Sequence, residues 1–221
     1  MGYFDTDNIR DSALFKGLTP EEFDNIFDRL MIFKKSYTKK EVIMRQGDIV
    51  KNIGIIENGS VTGTKYHYDG SAQIIKMLGE NDIVGIEAVH STFLTSPCTL
   101  TADSYVTIVF FSYQDLFEPA LLTDRCRDLL YQNVINILSD ENIKMMYKTD
   151  VLSRRTLRER VTTYLSIIRE KRGSDTFDIG MTQEQFAQYL CVNRSALSKE
   201  LNAMRREKLI DFRKTVYTIK K

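Results

Sequence analysis

Three cysteines, three prolines, two histidines and no tryptophan occur in the 221 residues. Cys98, Cys126 and Cys191 lie far apart and form no Cys-x-x-Cys, so zinc ribbons, ferredoxin-type clusters and a disulfide framework find no support. Free thiols suit a reducing compartment. The opening Met1-Gly2-Tyr3-Phe4-Asp5 is acidic and lacks an apolar signal core. No run of about 18 apolar residues is present to span a membrane. A cytoplasmic protein without membrane contact is expected. Nucleophile elbow, phosphate-binding P-loop, His-Glu-x-x-His and dinucleotide fingerprint are all missing, so catalysis is not expected. His67 and His90, the only histidines, read as loop or packing residues, and no metal or cofactor is expected.

Hydrophobic residues make up 43 % of the chain, enough for a sizeable core. The formal net charge of +1 hides an asymmetry. Residues 1–150 hold 15 Lys+Arg against 22 Asp+Glu, and residues 151–221 hold 16 against 8. A basic end on an acidic body points to a polyanion that meets one end only.

Thr19-Pro20-Glu21-Glu22 starts a helix that carries Phe23, Ile26, Phe27 and Leu30 at helical spacing. From Ile32 to Phe111, short β-rich runs alternate with turn signals. Asn58-Gly59 between Ile53–Glu57 and Val61–Tyr66 predicts a hairpin, and Asp69-Gly70 predicts another. The spacing implies an antiparallel sandwich or roll. A helix of near thirty residues is expected from about Leu116 or Leu121 to about Tyr147. Leu130, Val134, Ile137, Leu138 and Met145 form its stripe, which an identical helix of a second copy would cover in part. Ser153 is a candidate cap for a further helix that ends at Gly173. Phe177 and Ile179 fit a short strand.

Thr182 and Gln185 make a capping box for a short helix with Phe186, Ala187 and Leu190 inward. Cys191-Val192-Asn193 is a tight turn, and Asn193 suits the cap of a second helix with Leu197, Leu201 and Met204 inward. Its opposite face carries Arg194, Ser195, Ser198, Lys199, Asn202 and Arg206. Arg and Lys reach guanine O6 and N7, and Ser reaches several base edges. Leu209–Phe212 and Thr215–Ile219 read as a two-stranded wing, which completes a winged helix-turn-helix. Thr182 and Gln183 join the recognition-helix residues as DNA-contacting candidates.

Gly47-Asp48, Ile53-Gly54-Ile55-Ile56-Glu57-Asn58-Gly59-Ser60-Val61, Asp69-Gly70, Leu78-Gly79-Glu80-Asn81-Asp82-Ile83-Val84-Gly85 and Asn193 to Leu201 follow one another in order. That set resembles the cyclic-AMP receptor protein and fumarate–nitrate regulator family of bacterial transcription factors. The resemblance implies an α+β protein: an N-terminal jelly-roll (double-stranded β-helix) sensor over 1–120, a central dimerisation helix over 121–150 and a winged helix-turn-helix over 151–221. It implies a homodimer on double-stranded DNA with a palindromic operator, base contacts from Arg194, Ser195, Ser198 and Lys199, a hinge near Thr149–Ser153, and RNA polymerase as a candidate further partner. The rival reading is a nucleotide-sensing module acting through a protein partner, which would not need a basic winged end.

In nucleotide-binding members a Gly-Glu pair holds the ribose and an Arg-Ser pair clamps the phosphate. Here those positions fall on Gly85-Ile86 and Ser96-Pro97, with Glu87 one place on, and no arginine lies between Arg45 and Arg125. Lys51, Lys65 and Lys76 offer point charges only. A neutral, mixed effector pocket is expected around Gly85, Ile86, Glu87, Ser96, Pro97, Cys98 and Thr99, for an unknown small molecule other than cyclic AMP or for no ligand.

Overall fold

The computed structural model describes residues 7–89 and 91–220; His90 lies outside the described residues. The chain forms two compact units. One comprises the residues to Gly70 and Ile75–Asp140, the other Ser71–Ile74 and Glu141 onward.

The first unit opens with two single 3-10 turns, Asp7–Ile9 and Ala13–Phe15, and helix α1, Pro20–Phe27. The Thr19 hydroxyl accepts from the Glu22 amide, and the Glu22 carboxylate answers at the Thr19 amide, so the predicted start is a complete capping box. Strands β1 (Ile32–Tyr37), β2 (Val42–Met44), β3 (Asn52–Asn58), β4 (Val61–Tyr66), β5 (Ala72–Leu78), β6 (Ile83–Val84), β7 (Thr99–Ala102) and β8 (Val106–Ser112) follow. They form two four-stranded sheets, in the orders β1-β8-β3-β6 and β2-β7-β4-β5.

This topology corrects one expectation. Strands β3 and β4 belong to different sheets, so Asn58-Gly59 carries the chain from one sheet to the other. The reason is local. The Asn58 side chain accepts from the Thr107 amide at 3.1 Å, and Gly59, at φ +87°, lies so close to β8 that a Cβ would meet the Tyr105 carbonyl at 2.4 Å. The turn is therefore bonded to β8, and only glycine fits it. Asp69-Gly70 does join hydrogen-bonded neighbours, β4 and β5.

Short helix α2 (Tyr113–Leu116) precedes the long helix α3 (Asp124–Ser153). The long helix begins and ends later than its sequence pattern indicated. Thr123 caps the start by accepting from the Cys126 amide. At the far end, Ser153 turns its hydroxyl back to the Asp150 carbonyl and remains helical. Thr156, with Glu159, forms the capping box of α4 (Leu157–Arg172), so the expected cap at Ser153 is replaced by one three residues on. Residues 154–156 are the interruption between the helices, and Thr149–Ser153 lie inside α3.

Cys126, Leu130, Val134 and Ile137 of α3 pack with Leu14, Phe15, Phe23, Phe27, Ile53 and Phe111 in this unit's core. Leu130 is fully buried and Val134 nearly so. These two stripe residues, and in part Ile137, are thus covered by their own chain; only Leu138 and Met145 of the expected dimer stripe are exposed. Cys126 is a buried packing thiol.

The second unit contains the end of α3, α4, β9 (Thr176–Asp178), α5 (Gln183–Tyr189), α6 (Arg194–Arg206), β10 (Ile210–Arg213) and β11 (Val216–Ile219). The wing has three strands, in the order β10-β11-β9, where the sequence suggested two. Phe177 of β9 faces Tyr217 of β11 in register, which draws the short strand into the sheet, while Ile179 falls just outside it. Val161, Leu165, Phe177, Phe186, Leu190, Leu197, Leu201, Met204 and Tyr217 make one core. Among the described residues no helix is long and apolar enough to cross a membrane.

Candidate nucleic-acid interface

Two places carry chemistry: the interior of the roll and the outer face of α6. In the roll, the expected pocket residues separate. Ile86 packs into the core with Ile53 and Ile55. Ser96 is buried and donates its hydroxyl to the Cys98 carbonyl at 2.7 Å. Pro97 is exposed, and the Thr99 hydroxyl accepts from the Gln46 amide. Gly85 holds φ +88° at the end of β6. Glu87 and buried Cys98 do come together, with a residue the sequence reading kept outside. The Lys76 ammonium donates to the Glu87 carboxylate at 2.5 Å, with the lysine side chain only 14 % exposed.

That ion pair is net neutral, and it brings Lys76 in among the expected pocket residues. Gly63 explains why Lys76 can reach it: a Cβ there would meet Lys76 Cγ at 2.9 Å and Cys98 Sγ at 3.0 Å. Burial pushes the Cys98 thiol pKa up, opposed by the nearby Lys76 charge.

In the second unit, the Thr182 hydroxyl accepts from the Gln185 amide and donates to the Gln185 side chain. Thr182 is therefore committed to its cap. Phe186 and Ala187 are buried, and Leu190 closes α5. Cys191 then adopts φ +57° and is exposed. An L-residue there costs about 1–2 kcal/mol, which the turn tolerates because Val192 N–H still bonds the Ala187 carbonyl at 3.0 Å. The Asn193 side chain accepts from the Ala196 amide at 2.8 Å and starts α6.

On α6, Leu197, Leu201 and Met204 are each 2 % exposed or less. That spacing of four and three puts a continuous apolar stripe against the core. The opposite side shows Arg194, Ser195, Lys199, Asn202 and Arg206 to solvent, with Ser198 half-buried beside them. Ser195 donates to Asn193 at 2.9 Å, and Asn202 donates its amide to the Ser198 carbonyl at 2.9 Å, so the Asn202 oxygen stays available. Arg194 lies 3.9 Å from Glu184, and Gln183 is half-buried on the first turn of α5. Arg213, which ends β10, and Lys214, in the turn that follows it, add exposed cations. A helix propped by three buried side chains, with cations and hydroxyls outward and a charged wing beside it, presents what a major groove accepts.

Residues 34–120 match the cyclic nucleotide-binding domain, and residues 159–221 match the Crp-like helix-turn-helix domain. The chain is a DNA-binding transcriptional regulator of the CRP/FNR type. It is 25 % identical over 187 residues to the transcriptional activator protein FnrL of Cereibacter sphaeroides, covering 80 % of this chain and 72 % of that protein. It is 22 % identical over 196 residues to electron transport regulator A of Shewanella oneidensis, covering 86 % and 74 %. The structure of FixK2 from Bradyrhizobium japonicum shares its fold, with a TM-score of 0.62 at 18 % identity and coverage of 87 % and 94 %.

Three features of this CRP/FNR-type regulator escaped the sequence reading. Lys76 reaches Glu87 only because two segments meet inside the roll, and no spacing announces it. On α3 the exposed large apolar residues are Tyr131, Ile135, Leu138, Ile143, Met145, Met146 and Tyr147, of which the sequence pattern had singled out only Leu138 and Met145. A helical count that asked which stripe the roll must cover would have separated the two faces. Arg158, on the first turn of α4, bonds the carboxylates of Glu200 on α6 and of Glu207 at its C-terminal cap.

Proposed function

We propose that this regulator binds as a homodimer to an imperfectly palindromic operator. Arg194, Ser195, Ser198, Lys199 and Asn202 of each α6 read base edges, and Gln183 flanks them. The observation that carries the reading is the division of α6 into a buried apolar stripe and an exposed cationic, hydroxyl-bearing face. Two such helices in successive major grooves set half-sites about 34 Å apart. The second copy covers Tyr131, Ile135, Leu138, Met145 and Met146, which stand exposed on one helix. Ile135 is 63 % exposed, so Ile135→Glu spares the fold and yields a monomer in sedimentation; a dimer with wild-type affinity refutes this interface.

Selection of bound duplexes from a random pool tests the operator. Enrichment of paired inverted half-sites, with binding that weakens steeply with salt, is the expected outcome. Enrichment of an unpaired motif, or of none, refutes the reading.

The roll serves as the sensor for a small effector other than cyclic AMP. No arginine stands between Arg45 and Arg125 to fork a cyclic phosphate, and Lys76 is already engaged by Glu87. Titration with cyclic AMP gives no micromolar binding if this is correct.

A further inference from the structure

Arg158 reaches the recognition helix from behind. Its Nε donates to Glu200 Oε1 at 2.6 Å, and its two terminal nitrogens donate to the two oxygens of Glu207 at 2.6 and 2.9 Å. One guanidinium thus makes three charge-assisted hydrogen bonds to α6. Glu200 directly follows Lys199, and Glu207 is the residue that ends the helix. Arg158 is itself held at the start of α4 by the Thr156–Glu159 capping box. The Glu207 carboxyl is kept below its usual range chiefly by the bonds from Arg158.

The apolar stripe of α6 holds the helix against the core, yet apolar contact is non-directional. It resists lifting more than rotation about the helix axis. A forked guanidinium on a carboxylate is directional and tolerates little displacement. Side-chain tips lie roughly 5–6 Å from a helix axis, so a rotation of about 10° moves them by about 1 Å. That displacement is enough to break a hydrogen bond to a base edge.

We propose that Arg158 is a positioning residue for base discrimination: its fork to Glu200 and Glu207 sets the rotation of α6 and so the aim of Arg194 and Lys199. Arg158 touches no base in this scheme and acts through α6 alone. The proposal rests on α6 being the base-reading element. The discrimination of the wild type between selected and scrambled duplexes tests that premise separately.

The experiment uses the full chain and two duplexes, one selected from the random pool and one scrambled. Affinity for each is measured across a salt series for wild type, Arg158→Gln, Arg158→Lys, Glu207→Gln and the swap Arg158→Glu with Glu207→Arg. Arg158→Gln is expected to lower the specific-to-scrambled ratio tenfold or more and to leave the salt slope unchanged. Arg158→Lys keeps the charge but loses the fork, so it falls in the same direction. The swap recovers part of the ratio. Should Arg158→Gln fail to fold, Glu207→Gln removes the carboxylate charge and one of its two acceptor oxygens, which undoes the fork from the exposed side, and decides the matter by the same ratio.

An equal loss on both duplexes assigns Arg158 to charge neutralisation and overturns the proposal. A salt slope smaller by about one marks it as a phosphate contact and overturns it too. A wild type with no preference for the selected duplex defeats the premise about α6, whatever Arg158 does.

Discussion

Lys148 is the least expected charge in the protein. It lies near the end of α3, is 3 % exposed, and has no carboxylate among its described partners. Its ammonium donates to the Ile74 carbonyl and sits 4.5 Å from the centre of the Tyr189 ring. Burial drives its pKa from 10.5 down to about 8, opposed by nearby Cys191. Between those two values the native state holds fewer protons at this site than the unfolded chain. Stability therefore rises with pH across that window and carries the full penalty below it. A shift of that size corresponds to roughly 3 kcal/mol.

Lys148→Met removes the penalty and leaves the Ile74 carbonyl one donor short, a loss of about 1–2 kcal/mol. The net expectation at pH 7 is a gain of about 1–2 kcal/mol, which shrinks and then reverses as pH approaches 10. The assay is urea unfolding followed by circular dichroism at intervals from pH 6.5 to 9.5. Staying below pH 10 avoids the tyrosines, since Tyr189 and Tyr217 are raised to about 12 and begin to oppose the trend where free phenols ionise. Parallel pH curves for wild type and Lys148→Met would show that the ammonium is not desolvated and refute the argument.

Cys191→Gly is expected to raise stability by about 0.5–1 kcal/mol, because relief of the left-handed strain exceeds the extra entropy of glycine in the unfolded chain; a lower urea midpoint contradicts it. Leu201→Ala empties a fully buried site beneath α6 and should lower stability by about 3–5 kcal/mol. Retention of both wild-type midpoint and operator affinity would deny that α6 is propped from below. Gly63→Val forces a side chain against Lys76 and Cys98, and a loss of about 1–3 kcal/mol in urea unfolding is expected. An unchanged midpoint there would mean the ion pair is not packed across Gly63.

Most of the DNA-binding unit was legible in sequence because its signals are local. Thr182 with Gln185, Asn193 as a cap, and Leu197, Leu201 and Met204 at helical spacing each depend on residues within one or two turns. Even the left-handed turn could be located, although Cys191 stands where glycine is easier. The roll was legible in its strands and less so in its pairing. Asn58-Gly59 has hairpin chemistry, but its hydrogen bonds go to Thr107 in another strand, and no local pattern reports that. The end of α3 was misplaced because Ser153 and Thr156 are both acceptable caps, and only Thr156 has a glutamate three residues on.

The sequence by itself determined that a basic helical end follows an acidic β-rich body, where α6 starts, and which of its faces is apolar. Those properties arise from short-range periodicity, capping and composition. The tertiary structure alone decided that β3 and β4 part into separate sheets, that Leu130 and Val134 turn inward while Ile135 stands outside, that Lys76 meets Glu87, and that Arg158 grips Glu200 and Glu207. Each of these joins residues far apart along the chain, and their proximity follows from how whole elements pack, which no local spacing encodes.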